Sequence, residues 1–410
     1  MKPAADFLRR HLDALLVLVA AANIAARRFF TLLDPRLRPD TASYFHAWEH
    51  ISAGEIDPFR TPLYPLLTAI LPGWLLLAAQ HALFLTSVYC LTRIARKALR
   101  LPPWAVAAAT LPYCLFGLYP MYAALYLTDS LGASMMLIFI TVLFRSIDRP
   151  STARTAASAA LMIALTALRP IFLFVPVASC ALACALAAAL ASARRFPAAK
   201  AVATAAAAGL LAAGAYAAAF RLNTGHFGIS TASELNKAIF DLYSFCPGDS
   251  AAYPVHSRLK TLHNNPSIEP VEKWDVLFII ASDHPQELYD EVADYRAAKP
   301  GSSTEALRST ISANLRQGLA GSPLPLSVLP LVAAAYIAFT ARMQSRRRRA
   351  TTPRAFICLL FTGNFMAVIL GAPGEYTRLL MPIIPLVFLM AADIAASLTL
   401  HLRPRRENRG

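Results

Sequence analysis

LPPWAVAAATLPYCLFGLYPMYAALYLTDSLGASMMLIFITVLF, residues 101–144, decides the fold. It is apolar, carries the single charge Asp129, and is about twice as long as the roughly 20 residues a helix needs to cross a bilayer. Arg93, Arg96, Lys97 and Arg100 precede it, and Arg145, Arg149 and Arg154 follow it. Basic residues collect on the cytoplasmic side of membrane helices. Both ends therefore belong to one side and the stretch must fold back as a hairpin. Its turn runs from Tyr119-Pro120-Met121-Tyr122 through Thr128-Asp129-Ser130 on the opposite side.

Two further stretches must fold back for the same reason. Residues 155–193 lie between the Arg145–Arg154 cluster and Arg194, Arg195 and Lys200, with Arg169-Pro170 at the turn. At about 1.5 Å per residue they barely give two crossings of a ~30 Å core. A single long helix through Arg169 is the alternative, but it would put Arg194 and Arg195 outside. Residues 355–402 lie between Arg342, Arg346 to Arg349 and Arg354 on one flank and Arg403, Arg405, Arg406 and Arg409 on the other. Their turn is Gly371 to Arg378 and holds Glu375 and Arg378. Three turns thus bring Asp129, Arg169, Glu375 and Arg378 to the outer face.

Composition agrees. Of the 410 residues 57% are hydrophobic and 15% charged, where a soluble chain carries about a quarter charged. The net charge of +15 is spread as blocks between apolar runs, which reads as topology and lipid headgroup contact and excludes nucleic-acid binding. Five of the six cysteines sit in apolar runs; Cys246 alone is in a polar segment, so neither a disulfide framework nor a metal spacing is present. Arg9, Arg10, Arg27 and Arg28 around residues 11–26 mark a retained first helix, not a cleaved signal.

The remaining runs complete an all-α polytopic membrane protein of about ten transmembrane helices with both termini cytoplasmic. Residues 1–220 form an N-terminal membrane region with an outer loop at 31–62, and its run 63–92 is split by Pro72-Gly73 into a short surface helix and a crossing. Residues 221–322 are polar and form a small, mostly helical cap. Within them Ser233 to Phe245 and Ser302 to Leu319 pattern as amphipathic helices, and Val276 to Ile280 is too short to span. Residues 323–410 carry the last crossings. No internal repeat stands out, which weakens a transporter reading.

The 31–62 loop holds the densest chemistry: Asp34, Arg36, Arg38, Asp40, Tyr44, His46, Trp48, Glu49 and Asp57, then Arg60-Thr61-Pro62-Leu63-Tyr64-Pro65. An Asp-x-x-x-Tyr step, a short helix and Arg-Thr-Pro-x-Tyr-Pro resemble the first outer loop of the C-type (GT-C fold) glycosyltransferases, above all their protein mannosyltransferase-like and aminoarabinose-transferase-like members. Thr128-Asp129 is similar to the acidic step after that superfamily's third helix. Ala167-Leu168-Arg169-Pro170 is similar to a Leu-x-Arg-Pro step after the fifth, and Tyr376-Thr377-Arg378 with Pro382 resembles a Tyr-x-Arg-x-x-x-Pro pattern near the last. Residues 221–322 match nothing in it.

The resemblance implies inverting transfer of a sugar from a polyprenyl-phosphate donor to a glycan, lipid or protein acceptor at the outer face of the cell membrane. That chemistry needs a base for the acceptor hydroxyl and cations for the phosphate leaving group. Asp40 is the candidate base, with Asp129 orienting the acceptor or a cation. Arg378, Arg169 and Arg60 are the phosphate candidates, and Tyr44, Tyr64, Tyr376 and Glu375 the sugar lining. No cofactor is implied beyond a divalent cation, Mg2+ or Mn2+, which the two aspartates would suit although no ligand spacing is visible.

Plainer readings stand beside these. Asp40 fits an N-cap for a helix starting at Thr41, and Asp129 a cap for the next. The arginines fit headgroup anchors, and Glu375 an ion pair with Arg378 or Arg169. His46 and His81 read as packing histidines, Asp34 and Asp57 as turn residues, and the Ala-rich helices of 181–220 as packing. A lipid-carrier flippase, a small-solute transporter and an envelope polysaccharide ligase or polymerase remain the alternative functions.

Overall fold

A computed structural model describes residues 2–30, 39–188, 196–242, 244–299, 302–320, 328–343, 348–370 and 376–402. Of the described residues 84% are helical and none lies in a strand. Its first half comprises α1 (Lys2–Phe29), α2 (Pro39–Ser52), α3 (Leu63–Ile70), α4 (Gly73–Arg93), α5 (Pro103–Leu115), α6 (Leu118–Ala123), α7 (Asp129–Asp148), α8 (Thr152–Leu168), α9 (Phe174–Ala188) and α10 (Phe196–Thr224). A polar group follows: α11 (Ala232–Asp241), α12 (Pro254–Asn264), α13 (Pro270–Asp283), α14 (Pro285–Ala298) and α15 (Ser302–Ala320). The last four are α16 (Val328–Met343), α17 (Arg348–Leu370), α18 (Tyr376–Leu379) and α19 (Ile384–Leu402).

Among the described residues, five segments are long and apolar enough to cross a membrane: Gly73–Ala98, Asp129–Asp148, Pro170–Ala188, Phe196–Thr224 and Thr352–Leu370. Thr152–Leu168, Leu331–Ala341 and Ile384–Thr399 are apolar but shorter. Among the described residues the expected ten is not reached on these terms, and two features of the apolar runs contribute. Proline and glycine cut the apolar runs into short helices, as at Pro102 before α5 and Gly117 after it. Charge also enters α1, where Asp13 lies among the apolar residues between the arginines at either end.

The expected break at Pro72 is present, with α3 and α4 on either side. So is the fold-back at Arg169. Arg169 is extended (φ −156°, ψ 141°) and closes α8, and Pro170–Leu173 makes one 3-10 turn into α9. A methyl group placed on Gly209 of α10 would touch both Met162 of α8 and Pro176 of α9. A continuous helix would separate those two residues by about 21 Å at 1.5 Å each, so the segment doubles back and α10 lies along both arms.

One large apolar core joins α1, α4, α5, α7, α9, α17 and α19. Two acids, each paired with arginine, lie within or beside it. Asp13 of α1 meets Arg96 at 3.1 Å and Arg93 at 3.7 Å. Asp393 of α19 takes Arg354 Nε at 2.7 Å, Arg354 Nη2 at 2.8 Å and the Tyr336 hydroxyl at 2.8 Å, all buried. A second, smaller core belongs to the polar helices, with Leu235, Leu259, Leu288 and Val292 at its centre. Phe59, from the loop before α3, is part of it. The amphipathic helices expected there are α11 and α15, and Val276 to Ile280 lies inside α13.

Candidate active site

Two carboxylates and three guanidiniums meet where α2, α7, the Arg169 turn and α18 come together. Asp40 is in the first turn of α2, which starts at Pro39, so it lies inside the helix and not at the N-cap read from sequence. Asp129 is the first residue of α7. Arg60 Nη2 is 3.2 Å from Asp40 Oδ1, and Arg378 Nη1 pairs with Asp40 Oδ2. Arg169 Nη1 is 2.5 Å from Asp129 Oδ1, and Arg378 Nε donates to both Asp129 oxygens at 3.0 Å. Arg378 thus bridges the two acids.

Each member is held from behind. Arg60 Nε donates to Ser43 Oγ (2.7 Å), whose own hydroxyl donates to Asp40 O (2.6 Å). The Arg60 guanidinium lies over the rings of Tyr44 (4.6 Å) and Phe59 (4.5 Å), an arrangement favoured by the ring quadrupole. The five carbonyls of residues 56–60 all accept hydrogen bonds. Asn223 Nδ2 reaches Ile56 O at 2.8 Å, Tyr216 OH reaches Asp57 O and Arg60 O at 3.4 Å, Thr231 N reaches Pro58 O at 2.8 Å, and Ser230 Oγ reaches Phe59 O at 2.7 Å. Gly132 lets the Arg169 turn approach α7: a methyl there would stand 2.5 Å from Phe172 Cζ. Tyr119 donates to Met381 O at 2.8 Å and so ties the loop after Arg378 to α6.

Burial alone would raise the Asp40 pKa, but Arg60 and Arg378 outweigh it and hold the carboxyl down to about 2. Asp40 and Asp129 are almost wholly buried. At neutral pH two carboxylates against three guanidiniums leave one positive charge. All four carboxylate oxygens face guanidinium nitrogen, so Mg2+ or Mn2+ between Asp40 and Asp129 would have to displace arginine.

The tyrosines divide. Tyr44 OH is 3.2 Å from Thr128 Oγ1, beside Asp129. Tyr64, expected among the sugar-lining residues, is fully buried and donates to Gln80 Oε1 at 2.9 Å, while Gln80 binds the carbonyls of Ala123 and Leu125. It is framework beneath Tyr44, whose ring it meets at 4.7 Å. Tyr376 opens α18, and Glu375 and Asp34 lie outside the described residues. His81 is satisfied by Leu77 O at 2.7 Å, as a packing histidine should be. His46 is satisfied as well, with Glu49 Oε2 at 3.3 Å and Asp283 Oδ1 at 2.9 Å, and its ring lies against Phe278. The contacts of Ser43, Thr128, Gln80 and Tyr119 with Arg60, Tyr44, Leu125 and Met381 span 17 to 262 residues, a separation that sequence reasoning does not bridge.

Comparison with protein-family models, curated proteins and solved structures gives no match, so the likeness to C-type glycosyltransferases rests on the four motifs alone.

Proposed function

We propose that this chain is a membrane glycosyltransferase that moves a sugar, with inversion, from a polyprenyl-phosphate donor to an acceptor hydroxyl. The observation that carries the reading is the Asp40–Asp129–Arg60–Arg169–Arg378 cluster, assembled from four distant segments. Its one surplus positive charge matches the single negative charge of a phosphodiester-linked sugar. Carboxylate base and guanidinium clamp are both groups that this transfer needs.

In the proposed cycle Arg60 and Arg378 turn from Asp40 to the donor phosphate, and Arg169 keeps Asp129 in register. Loss of its guanidinium partners raises the proton affinity of Asp40, which is too low in the resting cluster for a good base. The acceptor oxygen then forms a bond to the anomeric carbon as its proton passes to Asp40. The bond from that carbon to the phosphate oxygen breaks, its electron pair stays on the phosphate, and the arginines neutralise the added charge. We further propose about ten crossings, cytoplasmic termini and the cluster on the outer face of the cell membrane.

Purified protein in lipid nanodiscs, given a synthetic polyprenyl-phosphate hexose and envelope acceptor extracts, should release polyprenyl phosphate and form a new glycosidic bond detectable by mass spectrometry. Asp40→Asn should remain folded and lose at least ~100-fold in rate. Full activity in Asp40→Asn would remove it as the base. Movement of intact carrier lipid across the bilayer with no new bond would instead make the protein a flippase.

A further inference from the structure

A second cluster lies further along α2, where α2 meets the polar helices. His46 and His50 are one helical turn apart, with ring centroids 4.7 Å from each other. Asp283, the last residue of α13, reaches between them: its Oδ1 is 2.9 Å from His46 Nε2 and 3.7 Å from His50 Nε2. One ligand atom from each of the three residues falls within 4.8 Å of the others. Ligand atoms about 2.0–2.1 Å from a tetrahedral zinc ion are about 3.3 Å apart, a value that the two observed separations bracket.

The far side of each ring is also built. His50 Nδ1 is 3.2 Å from Asp57 Oδ2, and His46 Nδ1 is 3.3 Å from Glu49 Oε2. A carboxylate on Nδ1 fixes the proton there and turns the Nε2 lone pair toward the shared point, the arrangement that metal-ligating histidines adopt. Three carboxylates around two imidazoles leave the site short of positive charge. Asp57 is buried, and its other oxygen accepts the backbone N–H groups of Phe59 (2.9 Å) and Arg60 (2.5 Å). The same side chain therefore orients His50 and the backbone of Arg60.

We propose that His46, His50 and Asp283 bind a divalent transition metal of the zinc type, which pins α13 of the polar domain to α2. Three protein ligands leave a fourth position for water. The site is independent of the glycosyltransferase reading, since none of its ligands belongs to the Asp40–Asp129 cluster.

The test uses full-length, tag-free protein in detergent, stripped with a chelator and dialysed. Zinc added back and measured by plasma emission should be retained at one equivalent per chain. Co2+ as a probe should give the intense visible absorption of a tetrahedral site. His46→Gln and His50→Gln should each weaken zinc binding at least ~100-fold, and Asp57→Asn ~10–100-fold through the lost orienting contact. His263→Gln, on α12, should bind as the parent does. Because both ligand histidines are partly exposed, their Gln variants are expected to keep the parent's circular dichroism. Retention of less than about a tenth of an equivalent, or retention unchanged in a His46→Gln/His50→Gln double variant, would overturn the proposal.

Discussion

Arg378 and Asp129, 249 positions apart, share a bifurcated hydrogen bond: the single Arg378 Nε donor is 3.0 Å from both carboxylate oxygens. That leaves an Nη nitrogen to pair with Asp40, so one planar group aligns two acids. A lysine supplies the charge without the fork. Arg378→Lys should therefore keep most of the stability and lose ~100-fold or more in transfer rate, measured by donor turnover in nanodiscs. Arg378→Ala leaves two buried carboxylates underneutralised and should also lose about 3–5 kcal/mol of stability by thermal unfolding.

Asp40 has a folded-state pKa of about 2 against an ordinary 3.8. Its carboxylate therefore contributes stability that is present above pH 3.8 and is lost as pH falls toward 2. The contribution is roughly 2 kcal/mol, since a tenfold change in proton affinity is worth about 1.4 kcal/mol. Melting temperatures taken between pH 6 and pH 2.5 should fall more steeply for the parent than for Asp40→Asn; parallel curves would contradict the pairing.

Gly132 is where α7 gives the Arg169 turn room. Gly132→Ala must push Phe172 aside and should cost about 1–3 kcal/mol as overpacking. Because Phe172 follows Arg169 closely, the same change should impair transfer more than Gly214→Ala, where nothing lies within 4 Å of the added methyl.

The Arg354–Asp393 pair is structural. Removing one partner strands the other inside the helix bundle, so Asp393→Leu alone should cost about 3–5 kcal/mol, whereas Arg354→Met with Asp393→Leu should recover most of it. Thermal unfolding of the single and double variants in detergent tests this, and a double variant as weak as the single one would count against it.

His256 lies buried between Glu291 (2.8 Å) and Asp241 (3.4 Å), with Arg296 also on Asp241. Burial opposes its protonation, but Asp241 and Glu291 outweigh that and raise its pKa above 6.5. The stabilisation is full below pH 6.5 and is lost as pH rises through the folded value. Hydrogen exchange in α11, α12 and α14 should accordingly show greater protection at pH 6 than at pH 9 after correction for intrinsic rates. Glu291→Gln should flatten that difference.

The sequence was most legible where charge marks an apolar run. The fold-back at Arg169 and the break at Pro72 follow from one arginine and one proline in otherwise greasy stretches. Helix number was less legible, because apolarity fixes where a run lies but not how Pro102 or Gly117 divides it. Asp129 and Arg169 stood out because charge is scarce around them, and Asp40 and Arg378 because motifs marked them. Asp13 and Asp393 were equally isolated, yet each pairs with an arginine that sequence reasoning had assigned to topology. The Tyr64 role was misread because its partner Gln80 carries no charge to betray it. His50 and Asp283 lie 233 residues apart, a separation over which no spacing rule operates.

The stretch from Ile56 to Arg60 is gripped through its carbonyl oxygens, with donors arriving from α10 and from the segment that opens the polar helices. Amino-acid identity is largely irrelevant to such a grip, since every residue type offers the same acceptor. Exchanges at Ile56 should thus leave the Arg60 guanidinium aimed as before, whereas changing Asn223, Tyr216 or Ser230, none of which touches a carboxylate of the cluster, would let it wander.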